Sequence, residues 1–225
     1  MDIRIFEDKA AMVSAMVDLI STKVTDISRS EQSEAIMLSG GSTPMAVYEA
    51  IAASSLHAGP NLILFMSDER MAPLDSDKNN FHNTRPMIDS LGAHGVRVQT
   101  DLSAEDAANA YEAAIGEFLD MGGTIPLGLL GMGSDGHTAS LFSEDDLARG
   151  ANRLVTHVQR PDGMQGVSVT PDTLQKIEKI IFLIAGEDKA PMVQKLLNEP
   201  SEVIAGRAIE YCKDVELWLD CSAHG

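Results

Sequence analysis

The sequence predicts an α/β protein of one domain, and three observations predict it. Short apolar runs typical of buried strands, such as residues 35–38 and 62–66, alternate with segments whose apolar residues recur at helical spacing. Two of the apolar runs end in glycine-rich loops, and open α/β sheets bind ligands at the carboxyl ends of their strands. No linker rich in proline, serine or glycine interrupts the 225 residues, so we expect a single domain over residues 1–225.

The composition narrows the classes of partner. A formal net charge of −17 argues against nucleic acid and against an anionic membrane surface. An anionic metabolite remains compatible with it, because salt screens charges over about 8 Å and a few local cations can dominate a site. Cys212 and Cys221 have no metal-site spacing, and we expect reduced thiols. No signal-like or membrane-spanning run follows Met1, which indicates a cytoplasmic protein.

The first elements are a predicted strand and a predicted helix. Ile3 and Ile5 alternate with polar residues, as in a short strand, and Asp8 can cap the helix that follows. That helix has a methionine or isoleucine every four positions from Met12 to Ile20, which is typical of a stripe facing the core. We expect this segment to contribute packing only.

A candidate phosphate loop follows residues 35–38. It runs Ser39-Gly40-Gly41-Ser42-Thr43-Pro44 and leads into a helical pattern over residues 45–53. The glycines free the backbone, the hydroxyls of Ser42 and Thr43 suit a helix cap, and Pro44 suits the first helical position. Exposed amides at a helix N-terminus bind phosphate. Since the loop lacks the lysine of a nucleoside-triphosphate loop, it predicts a monophosphate site, with an ordinary capped turn as the alternative.

Ionisable residues follow the next apolar run, 62–66. The chain continues as Ser67-Asp68-Glu69-Arg70, in which Arg70 is a fixed cation able to bind a carboxylate, a phosphate or a developing oxyanion. A solvated loop with local ion pairs is the alternative interpretation. A polar loop then continues through Asn80 and Phe81, and it is long enough to cover a site.

The later elements complete the pattern. Ser103, with Asp106 three residues later, predicts the start of a helix whose inner face includes Tyr111. Further predicted strands cover residues 125–130, 155–158, 167–169, 180–184 and 216–219. Between the last two, Lys189 lies in the first turn of a predicted helix, where a cation opposes the helix dipole. A bound anion would offset that cost, so Lys189 is a candidate phosphate contact, with a surface lysine as the alternative.

The most informative stretch is residues 127–142, where an apolar run ends in Gly131, Gly133 and Gly136 and then presents Asp135 and His137. The three glycines also fit the dinucleotide-binding pattern G-x-G-x-x-G. That pattern requires an acidic residue at the end of the next strand, and residues 153–158 contain none. A glycine turn with a surface histidine is the second alternative.

Four segments together carry a resemblance to a known family. In chain order they are Ser39-Gly40-Gly41-Ser42-Thr43-Pro44, Asp68-Glu69-Arg70, Gly131-Met132-Gly133-Ser134-Asp135-Gly136-His137-Thr138-Ala139-Ser140-Leu141-Phe142 and Gly186-Glu187-Asp188-Lys189-Ala190. In these, and over essentially its whole length, the chain resembles the 6-phosphogluconolactonases. The resemblance implies a Rossmann-like domain with a mainly parallel sheet flanked by helices, of the NagB/RpiA/CoA transferase type. It also implies hydrolysis of 6-phosphoglucono-δ-lactone in the pentose phosphate pathway without metal or cofactor, by either a monomer or a homodimer.

Two other functions compete with this one. Glucosamine-6-phosphate deaminase is similar in its phosphate loop and in Asp-Gly-His, but it places a glutamate five residues past the histidine. This chain has Phe142 there, which favours the lactonase. A non-catalytic sugar-phosphate-binding protein is the other alternative, because Gly166 stands where the family usually has an arginine, and Arg153 and Arg160 are the candidates to replace it. Met71 and Ala72 also depart from the family pattern after Arg70.

The expected mechanism assigns a role to each predicted residue. A free imidazole titrates near pH 6.5, so a neutral His137 can accept a proton from water, while Asp135 orients either the ring or the water. Arg70 and the backbone around Gly131 and Gly133 are expected to stabilise the oxyanion. The predicted substrate and phosphate contacts are Gly40, Gly41, Ser42, Thr43, Asp68, Asn80, Gly131, Gly133 and Lys189. Ser140 lacks a nucleophile-elbow pattern, so no covalent intermediate is expected.

Overall fold

Ten strands form two sheets. The computed structural model describes residues 1–225. In chain order the strands are β1 Asp2–Phe6, β2 Glu34–Leu38, β3 Leu62–Met66, β4 Asp68–Arg70, β5 His94–Val96, β6 Thr124–Leu130, β7 Val155–Gln159, β8 Gln165–Val169, β9 Ile180–Ile184 and β10 Val215–Asp220. Seven of them form a parallel sheet in the order β1-β10-β9-β6-β2-β3-β5. The predicted mainly parallel sheet is therefore confirmed.

Helices cover both faces of this sheet. They are α1 Lys9–Ile27, α2 Ser42–Ala52, α3 Asn80–Leu91, α4 Ala104–Asp120, α5 Glu144–Arg149, α6 Pro171–Leu174, α7 Ala190–Asn198, α8 Ile204–Ala208 and α9 Cys221–His224, with short 3-10 turns at Glu187–Lys189 and Pro200–Glu202. Successive residues of β2 show the layering. Ile36 belongs to the core cluster that includes residues of α1, α2 and α3, whereas Met37 belongs to the cluster that includes residues of α4 and α7. No helix combines the length and the apolar character needed to cross a bilayer.

Local patterning identified several helix starts correctly. The Asp8 carboxylate accepts a hydrogen bond from the Ala11 amide at 2.7 Å and caps α1, whose Met12 is fully buried. Ser103 caps α4 by accepting from the Asp106 amide at 3.1 Å, as predicted. Each cap satisfies an amide that has no partner inside its own helix.

Two other helix starts differ from the prediction. Helix α2 begins at Ser42, its cap is Gly41, and no side chain caps it, so the expected role of Ser42 and Thr43 as caps is wrong. Gly41 has a φ of +101°, a conformation that side chains disfavour, which lets the chain turn into the helix before Pro44. The polar loop after Arg70 also ends earlier than expected, because Asn79 accepts from the His82 amide at 2.8 Å and starts α3.

A second, three-stranded sheet lies on the α4 side in the order β4-β8-β7. Its pairings are antiparallel, with Asp68 opposite Ser168 and Arg70 opposite Gly166. The strands predicted at 155–158 and 167–169 are confirmed, but they lie outside the parallel sheet. Residues 68–70 form a strand that the sequence did not predict, and the alternative interpretation of a solvated loop is wrong. Pairing with β8 stabilises a segment that is too short and too polar to show strand periodicity.

Candidate active site

The site lies where the parallel sheet changes its direction of growth. Strands β3 and β5 lie on one side of β2, whereas β9 and β10 lie on the far side of β6. The loops that follow β2 and β6 therefore flank a crevice at the carboxyl edge of the sheet, which is the usual ligand position in such folds.

A cavity of about 230 Å³ opens in this crevice. Most of the predicted site residues line it, namely Gly40, Gly41, Asp68, Arg70, Asn80, Gly131, Gly133, His137 and Lys189. Ser39, Met132, Ala139 and Arg160 complete the wall, whereas Asp135, Ser42 and Thr43 do not line it. Cavities of about 330 and 610 Å³ lie elsewhere, but neither combines a histidine with arginines and glycine-rich loops.

Asp135 and His137 form a hydrogen-bonded pair in the loop after β6. The distance from Nδ1 of His137 to Oδ1 of Asp135 is 2.5 Å. Partial burial by itself raises the pKa of the Asp135 carboxyl, but the hydrogen bond and the charge of His137 outweigh it and hold this pKa below its ordinary value. Because an ionised carboxylate only accepts, the hydrogen of the neutral imidazole lies on Nδ1, and Nε2 keeps its lone pair.

Glycines give this pair its space. A Cβ added at Gly133 would overlap both the Asp135 carboxylate oxygen and the His137 imidazole. The loop closes through hydrogen bonds from the Gly133 amide to the His137 carbonyl at 2.9 Å and from the Gly136 amide to the Gly133 carbonyl at 3.0 Å. The next helix starts only at Glu144, so the G-x-G-x-x-G run does not open a helix as a dinucleotide-binding loop does.

Phe142 lies between the imidazole and an arginine. Its ring centroid is 4.4 Å from that of His137, and the guanidinium carbon of Arg160 lies 5.2 Å from the same ring. The Phe142 amide donates to Asp146 at 3.0 Å, which ties it to the start of α5. An apolar ring therefore contacts His137 at the position where the deaminases are expected to carry a glutamate.

Glu69 organises the opposite wall. Its side chain is buried and accepts hydrogen bonds from the amides of Arg70 at 2.9 Å, Asn80 at 2.7 Å and Phe81 at 2.8 Å. Burial raises the pKa of Glu69 to about 7 even though these hydrogen bonds lower it. A single carboxyl group thereby fixes the end of β4 against the N-terminus of α3.

Asn80 joins this wall to the candidate phosphate loop, residues 39–44. Its Nδ2 donates to the Asp68 carbonyl at 3.0 Å. A Cβ at Gly40 would lie 2.5 Å from Asn80 Oδ1, so the close approach of the two segments requires glycine there. Arg70 donates from Nη1 to the Lys78 carbonyl at 3.2 Å, and its guanidinium reaches the cavity.

The sequence left Arg160 as one of two candidates to replace the missing arginine, and it assigned no contact to Ser140. Arg160 donates from Nη1 to Ser140 Oγ at 2.7 Å, and this hydroxyl donates to Asp68 Oδ2 at 2.7 Å. Arg153, the other candidate to replace a missing arginine, instead pairs with Glu112 at 2.5 Å and does not line the cavity. Only the tertiary structure identifies Arg160 as part of the cavity, because this residue lies in the turn between β7 and β8.

Lys189 reaches the cavity from the segment after β9. It ends the 3-10 turn and lies immediately before α7, close to the predicted first turn of a helix. Its Nζ lies 3.6 Å from Asp188 Oδ2. The loops after β2, β6 and β9 thus all contribute to one cavity wall.

Two buried tyrosines hold the strand ends beneath the site. The Tyr48 hydroxyl accepts from the Ser39 amide at 3.1 Å and donates to the Ser39 carbonyl at 3.0 Å. Tyr111 makes the same pair of contacts with Met66, at 2.7 and 2.9 Å. Periodicity predicted only packing for Tyr111, because the hydroxyl partner lies on a distant strand.

Known proteins are similar to this chain in sequence and in fold. The family model described as glucosamine-6-phosphate isomerases/6-phosphogluconolactonase matches residues 7–216. A 6-phosphogluconolactonase of Thermotoga maritima is 34% identical over 208 residues, covering 87% of this chain and 90% of that protein. A crystal structure of 6-phosphogluconolactonase from Thermotoga maritima has a TM-score of 0.80 at 30% identity and covers 97% of this chain and 98% of its own.

A more distant structure confirms the predicted type of fold. A monomeric glucosamine-6-phosphate deaminase of the NagB superfamily has a TM-score of 0.76 at 17% identity, covering 100% of this chain and 99% of its own. At that identity the likeness concerns the fold alone. The family model spans most of the chain, and the chain therefore belongs to the glucosamine-6-phosphate isomerase/6-phosphogluconolactonase family.

Proposed function

We propose that the protein hydrolyses 6-phosphoglucono-δ-lactone to 6-phosphogluconate, as a step of the pentose phosphate pathway. The observation that carries the proposal is the hydrogen-bonded Asp135–His137 pair beside a cavity lined by Arg70, Arg160 and Lys189. The pair can activate water, and the three cations suit a phosphorylated sugar acid. The two relatives from Thermotoga maritima described above are named as 6-phosphogluconolactonases.

His137 is the proposed general base. With Nδ1 held by Asp135, the lone pair on Nε2 accepts a proton from the attacking water. This assigns to Asp135 the task of orienting the ring, since its oxygen is already 2.5 Å from the imidazole. The contact with Phe142 further restricts the ring, because a rotation would carry it into that side chain.

Arg70 is the proposed donor for the developing oxyanion. The Gly133 amide already donates to the His137 carbonyl at 2.9 Å, so it is not free for this role. A preorganised cation at the reacting oxygen is worth several kcal/mol when water is excluded, and losing one donor costs roughly 3 kcal/mol.

The phosphate is assigned to the part of the cavity that Gly40, Gly41 and Lys189 line. Gly40 and Gly41 lead into α2, whose N-terminal amides favour an anion, and Lys189 contributes a positive charge from the segment after β9. Fixing the phosphate there orients the lactone ring against His137, which lowers the entropy cost of the reaction.

The hydrolysis is proposed to proceed without a covalent intermediate. Ser140 is a buried hydroxyl in the same loop as His137, and its Oγ donates to Asp68 and accepts from Arg160. No imidazole is hydrogen-bonded to that hydroxyl to activate it as a nucleophile. Its contacts instead suit a brace between two charged side chains.

The test is proton release on adding freshly generated 6-phosphogluconolactone, after subtraction of spontaneous hydrolysis. We expect acceleration by the wild-type protein, loss of most turnover in His137→Ala, and normal turnover in His82→Ala, which removes an exposed histidine of α3. Ammonia is assayed separately with glucosamine 6-phosphate. Ammonia without lactone hydrolysis would assign the protein to the deaminases, and no reaction with either substrate would favour a binding protein.

A further inference from the structure

Gly166 and Arg160 share one region of space. Gly166 is buried in β8, between Arg70 of β4 and Val158 of β7. A Cβ at position 166 would lie 3.2 Å from Arg160 Cδ and 3.1 Å from the Glu69 carbonyl oxygen. The aliphatic part of Arg160 therefore fills the volume in which a side chain at position 166 would begin.

The guanidinium of Arg160 is placed at the cavity with one end free. Its side chain is only 10% exposed, Nε donates to Asp162 at 3.2 Å and Nη1 donates to Ser140 at 2.7 Å. Its guanidinium carbon lies over the ring of Phe142, 5.2 Å from the centroid. Nη2 has no hydrogen-bond partner within the chain, although Arg160 lines the cavity. A guanidinium fixed on three sides offers its remaining N–H groups without a large loss of rotamer entropy.

The carboxylates around Arg160 leave it able to bind an anion. Asp68 Oδ2 lies 3.9 Å from Nη1, beyond hydrogen-bond distance, and that oxygen already accepts from Ser140. Asp162 is half-exposed and contacts Nε rather than the terminal nitrogens. The N–H groups of Nη2 therefore remain available to a carboxylate or phosphate in the cavity that Arg160 lines, through charge-assisted hydrogen bonds.

We propose that Arg160 is a substrate-binding residue, holding an anionic oxygen of the sugar acid phosphate through Nη2, and that the absence of a side chain at Gly166 admits it to the site. The inference rests on the proposed function. It makes Arg160 the third cation of the cavity, delivered by the turn between β7 and β8 rather than by β8 itself.

The first experiment measures binding of the product, 6-phosphogluconate, by titration calorimetry. Arg160→Ala is expected to weaken binding about 10- to 100-fold, the usual effect of losing a charged hydrogen bond. Arg160→Lys keeps the charge but not the contact geometry and is expected to restore only part of the affinity. Arg85→Ala is the matched control, because it removes an arginine that pairs with Asp89 at the surface of α3.

Inorganic phosphate and gluconate identify which group Arg160 holds. We expect Arg160→Ala to weaken binding of only one of these two probes, relative to the wild-type protein. Loss of phosphate binding assigns Nη2 to the phosphate, and loss of gluconate binding assigns it to the oxygens of the sugar acid. Unchanged binding of both probes and of the product overturns the inference.

A double-mutant cycle tests the part played by Gly166. Gly166→Ala is expected to shift the stem of Arg160 by a few tenths of an ångström and to weaken product binding, but to have almost no further effect when Arg160 is already alanine. Additive effects of the two substitutions would overturn the coupling. If Arg160→Ala lowers the melting temperature without changing the affinity for the product, Arg160 has a structural role. That result would overturn this inference and leave the proposed function standing. A wild-type protein that neither hydrolyses the lactone nor binds the product would make both the proposed function and this inference wrong.

Discussion

Gly133→Ala provides the sharpest test of the catalytic geometry. The added Cβ would overlap the Asp135 carboxylate and the His137 imidazole. Because carbon atoms normally approach no closer than about 3.5 Å, the pair has to move by about 1 Å. A displacement of that size at a reacting group costs about 100-fold in rate, or roughly 2.7 kcal/mol of transition-state stabilisation.

The assay compares kcat/KM for lactone hydrolysis with affinity for the product. We expect kcat/KM to fall about 100-fold in Gly133→Ala, while product binding and the free energy of unfolding each change by less than about 1 kcal/mol. Gly116→Ala is the matched control. Gly116 lies inside α4, and a Cβ at that position would meet only Leu154, at 3.9 Å. Activity within about threefold of the wild type in Gly133→Ala would refute the idea that this pair sets the rate.

Three further substitutions test separate parts of the site. Asp135→Asn is expected to lower kcat about 100-fold at unchanged KM, because the amide no longer fixes the proton of His137 on Nδ1. A kcat within about threefold of the wild type would contradict this. Lys189→Ala is expected to raise KM about 10-fold with little change in kcat. Lys195→Ala is the control, and its KM is expected to stay normal. A normal KM in Lys189→Ala would show that Lys189 does not bind the phosphate. The pKa of Glu69 is raised to about 7, so its carboxyl binds a proton more tightly in the folded state than in the unfolded state. The free energy of unfolding is therefore expected to fall by roughly 3 kcal/mol as the pH rises from about 4.5 to about 7. Chemical denaturation across this range measures the slope, which Glu69→Gln should abolish; an unchanged slope in that variant would assign the pH dependence to other groups.

The sequence predicted those parts of the fold that depend on residues close together in the chain. The cap at Asp8 depends on a side chain and an amide three residues apart, and the strand at residues 180–184 is an unbroken apolar run. The glycine-rich turns after β2 and β6 were likewise identifiable, because a run of glycines after an apolar segment indicates a turn. The predicted site residues consequently came mainly from these turns.

The parts that the sequence could not predict depend on distant contacts. Residues 68–70 become a strand only because β8 pairs with them. Arg160 enters the cavity because Gly166, on the next strand, leaves room for its stem. Ser140 acquires its role from Asp68, far away in the chain. No periodicity or spacing encodes such neighbours, since each is fixed by how two sheets meet.

The three-stranded sheet gives the protein two separable sources of site residues. His137 and Asp135 depend on the parallel sheet through the loop after β6, whereas Arg70 and Arg160 are carried by β4 and by the hairpin of β7 and β8. The hairpin turn at residues 160–164 therefore offers a route by which substitutions can change the preferred substrate without disturbing the hydrogen-bonded pair of Asp135 and His137. In evolutionary terms, this architecture lets the arginines that line the cavity change independently of the loop that holds Asp135 and His137.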